Sequence, residues 1–324
     1  MDKKIKWGII GPGNIAKKFA EALRSCGDSE LLAVGSSSRE RAESFAAEYG
    51  AARAYGDYGS FLEDNELQAV YIATVNSTHM ELIRKCAAAK KAVLCEKPCV
   101  LTEADAAELE ELSGRERVLI MEGMWTAFLP ATRTVKNWIA DGKIGNLHHI
   151  SLSFSFKGDK TSRRLFSREL GGGGMYDVGV YCIEYAMELT GSAPEECKSM
   201  ARLAESGVDE FGALLMRFPD DIIVDCRYGI SFFAGSDAHI HGDRGRIYVP
   251  TFWSGGSCEL YDANSVLADR YVSGGENGFI YEIRHFNRLL SQGRTESDIM
   301  PLSKTRYCAR VFDKIRAYDF PLRT

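Results

Sequence analysis

The chain has 324 residues, 45% of them apolar and 26% charged, with a formal net charge of −5 at pH 7. That length suits two domains with full cores, and the mildly acidic balance argues against a nucleic-acid partner, which needs a basic face. No apolar run approaches the ~18 residues of a membrane span, and no apolar signal core follows Met1, so a cytoplasmic protein without a membrane partner is expected.

The first third alternates short apolar runs with helical patterns. Strands are expected at 5–10, 31–34, 69–73, 92–95 and 118–121, and helices at 14–24, 39–48, 81–89 and 103–112. Strands alternating with helices of this length build βαβ units and a parallel, doubly wound sheet. A helix at 131–140 follows, and then strand-like alternation takes over at 150–156, 213–218, 222–228, 239–241, 246–249 and 266–272, with a helix at 176–189 between. Helices at 280–290 and 303–318 finish the chain. The expected fold class is α/β: an N-terminal Rossmann dinucleotide-binding domain over 1–122, then an α+β domain over 123–324. The second domain would hold a large, mostly antiparallel open sheet and serve substrate binding and oligomerisation.

Nine cysteines are scattered without a Cys-x-x-Cys pair and read as reduced, buried small residues. The six histidines form no i, i+4 pair. His239 and His241 can share a strand face, but no carboxylate or thiolate spacing accompanies them, so no metal site is expected.

Gly11-Pro12-Gly13-Asn14-Ile15-Ala16 stands between the first strand and the first helix as G-x-G-x-x-A. Gly11 permits the tight turn, Gly13 lets a pyrophosphate approach the backbone, and the helix start at Asn14 and Ile15 offers free N–H groups to phosphate. The second strand ends in Gly35-Ser36-Ser37-Ser38-Arg39, with no acid to hold a ribose 2′-hydroxyl. Ser36, Ser37 and Arg39 suit a 2′-phosphate, so NADP is the preferred cofactor and NAD the alternative. Glu96-Lys97-Pro98 follows the strand at 92–95, at the carboxyl edge where doubly wound sheets bind ligands.

Four segments in this order resemble the glucose-fructose oxidoreductase/inositol dehydrogenase/MocA family: GIIGPGNIA at 8–16, ATVNSTH at 73–79, CEKP at 95–98 and GGGGMYDVGVY at 171–181. EGMWTAFLP at 122–130 and DVGVYCIEY at 177–185 are most similar to its dimeric dihydrodiol dehydrogenase/NADP-dependent D-xylose dehydrogenase branch. The resemblance implies an oxidoreductase whose loop with Thr74, Asn76 and His79, together with Glu96 and Lys97, faces the nicotinamide. It also implies a homodimer or tetramer, and it supports Trp125 as a substrate-pocket residue. The chain departs from the family in carrying Tyr181 where inositol dehydrogenases have His, Val75 for a common Pro, and Ser37 for a common Arg.

The chemistry of these positions is consistent. Tyrosine, with a reference pKa of about 10, needs a nearby ammonium to act as a base near neutrality. Tyr181 is therefore assigned as acid/base and Lys97 as its electrostatic partner. Asp177, four residues before Tyr181, is expected to orient Lys97 or bind a substrate hydroxyl. Phe154, Trp253 and Phe279 are weaker candidates for the pocket. The expected reaction is hydride transfer between a nicotinamide and a sugar, polyol or cyclic diol, a small-molecule substrate. The alternatives are an NAD-dependent inositol or amino-sugar dehydrogenase, a non-catalytic dinucleotide-sensing regulator, and an interaction scaffold.

Overall fold

The computed structural model describes residues 4–319; the outermost residues of both expected domains lie outside this range. The first compact unit comprises the residues through Val100, then Ala104–Trp125 and Asn277–Thr305. Its elements are β1 (Ile5–Ile10), α1 (Asn14–Ser25), β2 (Ser29–Gly35), α2 (Arg39–Tyr49), β3 (Arg53–Tyr55), α3 (Tyr58–Leu62), β4 (Ala69–Ile72), α4 (His79–Ala88), β5 (Ala92–Glu96), most of α5 (Glu103–Glu116) and β6 (Ile120–Gly123). The six strands pair in parallel in the order β3-β2-β1-β4-β5-β6. That order reverses at β1, which leaves a crevice beyond the carboxyl ends of β1 and β4. From Trp7 on, β1 is buried on both faces, as expected of a central parallel strand. Trp7, Ile9 and Ile10 are fully buried, each contributing about 1.5–3 kcal/mol.

The second unit comprises Leu101–Glu103, Thr126–Glu276 and the residues from Arg306 on. It holds α6 (Pro130–Ala140), β7 (Leu147–Ser155), α7 (Arg163–Phe166), α8 (Val180–Thr190), β8 (Glu196–Leu203), β9 (Asp209–Arg217), β10 (Ile223–Gly229), β11 (Ala238–Gly242), β12 (Gly245–Val249), β13 (Ser257–Asp262) and β14 (Leu267–Val272). The eight strands run in the order β14-β13-β12-β11-β7-β10-β9-β8. Every neighbouring pair is antiparallel except β7 with β10. α6 and α8 pack on one face. Ile150, Leu152 and Phe154 of β7 point there, alternating with Ser151 and His149 on the other.

Two features differ from the sequence expectation. α9 (Phe279–Ser291) and the start of α10 (Leu302–Asp319) group with the first unit, not with the rest of 123–324. α9 buries Phe279, Ile283, Phe286 and Leu289, packs against α1, and takes the Trp7 indole N–H on Asn287 Oδ1 at 3.1 Å. The helix expected at 176–189 is composite: Met175–Gly179 is one π-helical turn, and α-helical geometry begins only at Val180.

Candidate functional site

In the first unit the loop after β1 is built for an anion. Gly11 has φ +87°, and a Cβ there would lie 2.8 Å from the Ala73 carbonyl oxygen, so only glycine takes this turn. Gly13 caps α1 with no side-chain bond, a Cβ there would meet nothing within 4 Å, and the first turn carries no acid. The first-turn amides and the positive end of the helix dipole are thus open to a phosphate. Asn14 is exposed and Ile15 half-buried in this turn. At the end of β2, buried Ser36 accepts the Ser38 amide at 3.2 Å, and Ser37 is exposed. Arg39 pairs with Glu43 at 2.6 Å, and a Cβ at Gly56 would lie 2.9 Å from the Arg39 Cβ.

The loop after β4 is tied to the loop after β5. Thr78 Oγ1 donates to Thr74 Oγ1 at 2.8 Å, and half-buried Asn76 opens the 3-10 turn between them. His79 Nδ1 lies 3.0 Å from the Pro98 carbonyl oxygen and its Nε2 lies 3.3 Å from that of Thr74. Burial above all, with Lys97 adding to it, holds the imidazole below its ordinary pKa. His79 is thereby a neutral buried clamp between the two loops.

Glu96 is buried, accepts the Tyr71 hydroxyl, and is pushed up by burial. Lys97 is half-buried and followed by a cis peptide to Pro98. The backbone just past it is held by Glu122, which accepts the Cys99 amide at 2.9 Å and the Thr305 hydroxyl at 2.6 Å. Sequence reasoning missed Glu122; a carboxylate inside the apolar strand β6 was its one signal. Trp125 stacks on Phe279 at 4.9 Å and 18°. Phe279, a weaker pocket candidate, is a core residue at the start of α9, edge-on to Phe19.

In the second unit Tyr181 lies in the first turn of α8, 8% exposed, and meets Phe154 edge-on at 5.3 Å and 68°. Phe154 in turn stacks parallel on Trp253 at 4.9 Å and 5°. Trp253 is fixed by its indole N–H to Ser236 Oγ at 2.8 Å, and the Thr126 hydroxyl donates to its carbonyl at 2.7 Å. Asp177 lies inside the π-turn and receives the Arg164 guanidinium at 2.5 Å. The π-turn alters the spacing assumed for an α-helical i, i+4 pair of Asp177 and Tyr181. Arg164 was not foreseen, because it sits in α7, a single turn too short to show a periodicity. Among the described residues no cluster of metal-ligating side chains occurs, and no helix is long and apolar enough to cross a membrane.

Comparison with known proteins gives the family and the fold. The family model described as "Oxidoreductase family, NAD-binding Rossmann fold" matches residues 5–124, and that of the GFO/IDH/MocA C-terminal domain matches residues 132–248. The trans-1,2-dihydrobenzene-1,2-diol dehydrogenase of Homo sapiens is 30% identical over 325 residues, covering 96% of this chain and 96% of the relative. A 3-ketoreductase from Actinomadura kijaniata, solved with NADP and TDP-benzene, has a TM-score of 0.88 at 23% identity, covering 97% of this chain and 98% of that one. An aldose-aldose oxidoreductase from Caulobacter crescentus, complexed with glycerol, has a TM-score of 0.88 at 23% identity, covering 97% of each chain. The chain belongs to the GFO/IDH/MocA oxidoreductase family, with the NAD-binding Rossmann fold of that family in its N-terminal third.

Proposed function

We propose that the chain is an NADP-preferring dehydrogenase/reductase acting on a hydroxyl, or the matching carbonyl, of a sugar, polyol or cyclic diol. The observation that carries this reading is Tyr181 set edge-on against the parallel Phe154–Trp253 pair. A proton-exchanging hydroxyl beside a flat aromatic wall suits a ring that is apolar on its faces and hydroxylated on its rim. The trans-dihydrodiol named for the human relative is a molecule of this shape.

The open N-terminus of α1, with Gly11, Gly13, Asn14 and Ile15, fits a pyrophosphate. Ser36, Ser37 and Arg39 are assigned to the adenosine ribose, and the absence of an acid at the end of β2 favours its 2′-phosphate. Thr74, Asn76, His79, Glu96 and Lys97 are assigned to the nicotinamide end. The nicotinamide, when bound, supplies the two-electron acceptor or donor. In the oxidative direction Tyr181 takes up the proton of the substrate hydroxyl; in the reductive direction it returns that proton to the oxygen. Lys97, in the turn after β5, is assigned the ammonium charge that this chemistry calls for. Asp177, oriented by Arg164, binds a second substrate hydroxyl.

The protein is further inferred to be a cytoplasmic homodimer. The face of the eight-stranded sheet away from α6 and α8 carries Met200, 79% exposed, and Leu215, 50% exposed. Apolar surface of this kind favours a second copy. The test of the proposed activity is turnover on a panel of aldoses, inositols and trans-dihydrodiols with each cofactor. Oxidation of at least one of them with NADP is expected. Binding of dinucleotide without turnover across the panel contradicts the reading and favours a sensing role.

A further inference from the structure

The glycine run at 171–174 and the π-turn after it share one buried partner. Asp209, the first residue of β9, is buried, and its Oδ2 accepts the Met175 amide at 2.6 Å. Gly173 has φ +128°, donates to the Leu165 carbonyl at 2.9 Å, and a Cβ on it would fall on Asp209 Oδ1. The Asp177 amide then donates to the Gly173 carbonyl at 3.0 Å. The backbone that wraps the Asp209 carboxylate is thus the backbone that fixes Asp177, and Tyr181 follows one turn later. A carboxylate at a helix start satisfies amides that have no intrahelical acceptor and answers the positive end of the helix dipole. Here that carboxylate comes from a strand 34 residues away from Met175. The turn it holds has π geometry, a form that recurs at functional sites.

We propose that Asp209 is a positioning residue for the reaction: its carboxylate fixes the π-turn and, through that turn, the placement of Asp177 and Tyr181, so that turnover follows its ionisation. The inference rests on the assignment of Tyr181 above.

Burial pushes the Asp209 carboxyl up to about 7, against the opposing pull of the Met175, Gly174 and Asp209 amides and of the Tyr228 hydroxyl from β10. Arg168 and Tyr176 line the same cavity from the segment before α8, with Phe312 and Ile315 of α10 as its apolar side. The neighbouring Glu210 is engaged by Arg202 at 2.8 Å and Asp177 by Arg164, so neither takes the Met175 amide in its place. Ionised, Asp209 offers two acceptors to the turn. Protonated, it turns one oxygen into a donor facing a row of amide donors, and the turn loosens. Turnover is therefore expected to rise with pH through neutrality.

The test is kcat against pH in the reductive direction, where Tyr181 as the acid gives no rise with pH, for the full chain and for Asp209→Asn, with circular dichroism and dinucleotide affinity as folding controls. The variant should fold, bind dinucleotide as the wild type does, and show kcat about tenfold lower at pH 8, a loss of the size expected for a displaced reacting group. At pH 6 it should match the wild type within about twofold, since the wild type is itself protonated there. Its profile should lack the wild-type rise between pH 6 and 8. An Asp209→Asn profile that parallels the wild type, lowered or not, overturns the inference. Gly173→Ala, which crowds the carboxylate without removing it, serves if the first variant does not fold. It should blunt the same rise, and an unchanged rise overturns the inference. Loss of turnover in Tyr181→Phe beside an unaltered Asp209→Asn profile overturns this inference alone. Full turnover in Tyr181→Phe overturns the acid/base assignment instead.

Discussion

Trp253 lies parallel to Phe154 at 4.9 Å, and Phe154 presents its edge to Tyr181. Trp253 is the half-buried member of the pair, so it is the one whose face a substrate ring would meet. Trp253→Ala should therefore raise KM for a cyclic substrate about five- to tenfold, the scale of one aromatic contact of ~1 kcal/mol. The dinucleotide affinity should stay constant. Initial-rate kinetics at saturating cofactor measure this; an unchanged KM removes the aromatic wall from the substrate site.

Cofactor choice is tested at Ser37. The exposed serine at the end of β2 has Arg39 two residues on, and no carboxylate stands at the strand end. The wild type should bind NADP(H) several-fold more tightly than NAD(H), and Ser37→Asp should reverse the order by repelling the 2′-phosphate. Fluorescence titration with both cofactors decides it. NAD bound equally or more tightly by the wild type contradicts the assignment.

Glu282 on α9 is fully buried, both its carboxyl oxygens lack a hydrogen-bond partner, and burial followed by repulsion from Glu96 pushes it well above its ordinary value of 4.5. The folded chain thus holds a proton that the unfolded chain releases above that value. The sign follows: this group costs stability increasingly as pH rises above about 4.5, until the folded carboxyl itself ionises. Glu282→Gln removes the titration. Its stability relative to the wild type should grow by ~1.4 kcal/mol per pH unit from pH 5 upward. Urea unfolding of both proteins between pH 5 and 8 measures the difference, and a difference independent of pH contradicts the burial argument.

Assembly is tested through the free face of the eight-stranded sheet. Leu215 and Met200 lie diagonally across β9 and β8 on that face, Leu215 opposite Lys198 and Met200 opposite Ala213. Light scattering should give twice the 35.9 kDa chain mass. The double substitution Met200→Lys, Leu215→Lys should move the protein toward monomer by placing charges in a desolvated contact. A monomeric wild type at micromolar concentration contradicts the dimer.

Most of the frame was legible because each signal had one cause. Glycine at 11 and 13, between an apolar run and a helical one, has few uses besides the β1–α1 turn. β4 and β5 are buried on both faces and read as apolar runs, β5 up to the Glu96 that ends it. β3, β8 and β13 escaped notice. β3 has three residues, and β8, ECKSMARL, is an edge strand whose residues are largely exposed, so no hydrophobic alternation marks it. α9 was legible as a helix but not as part of the first unit, since its partners Trp7 and Phe19 lie more than 250 positions away in sequence. Of the residues proposed for the chemistry, Lys97, Asp177 and Tyr181 stood in motifs. Arg164, Glu122 and Asp209 make contacts that only folding brings together.

The central claim is that Tyr181 exchanges the substrate proton. Tyr181→Phe keeps the ring and its contact with Phe154 while removing the hydroxyl. Single-turnover kinetics of this variant on any accepted substrate should show a rate ~10² to 10⁴-fold below wild type, the scale of a positioned acid or base. Dinucleotide affinity should be unchanged. Lys97→Met should cost a similar factor, and the double variant much less than the product of the two. A Tyr181→Phe rate above about a tenth of wild type, well short of the loss expected for a general acid or base, contradicts the account and transfers the proton step to another group.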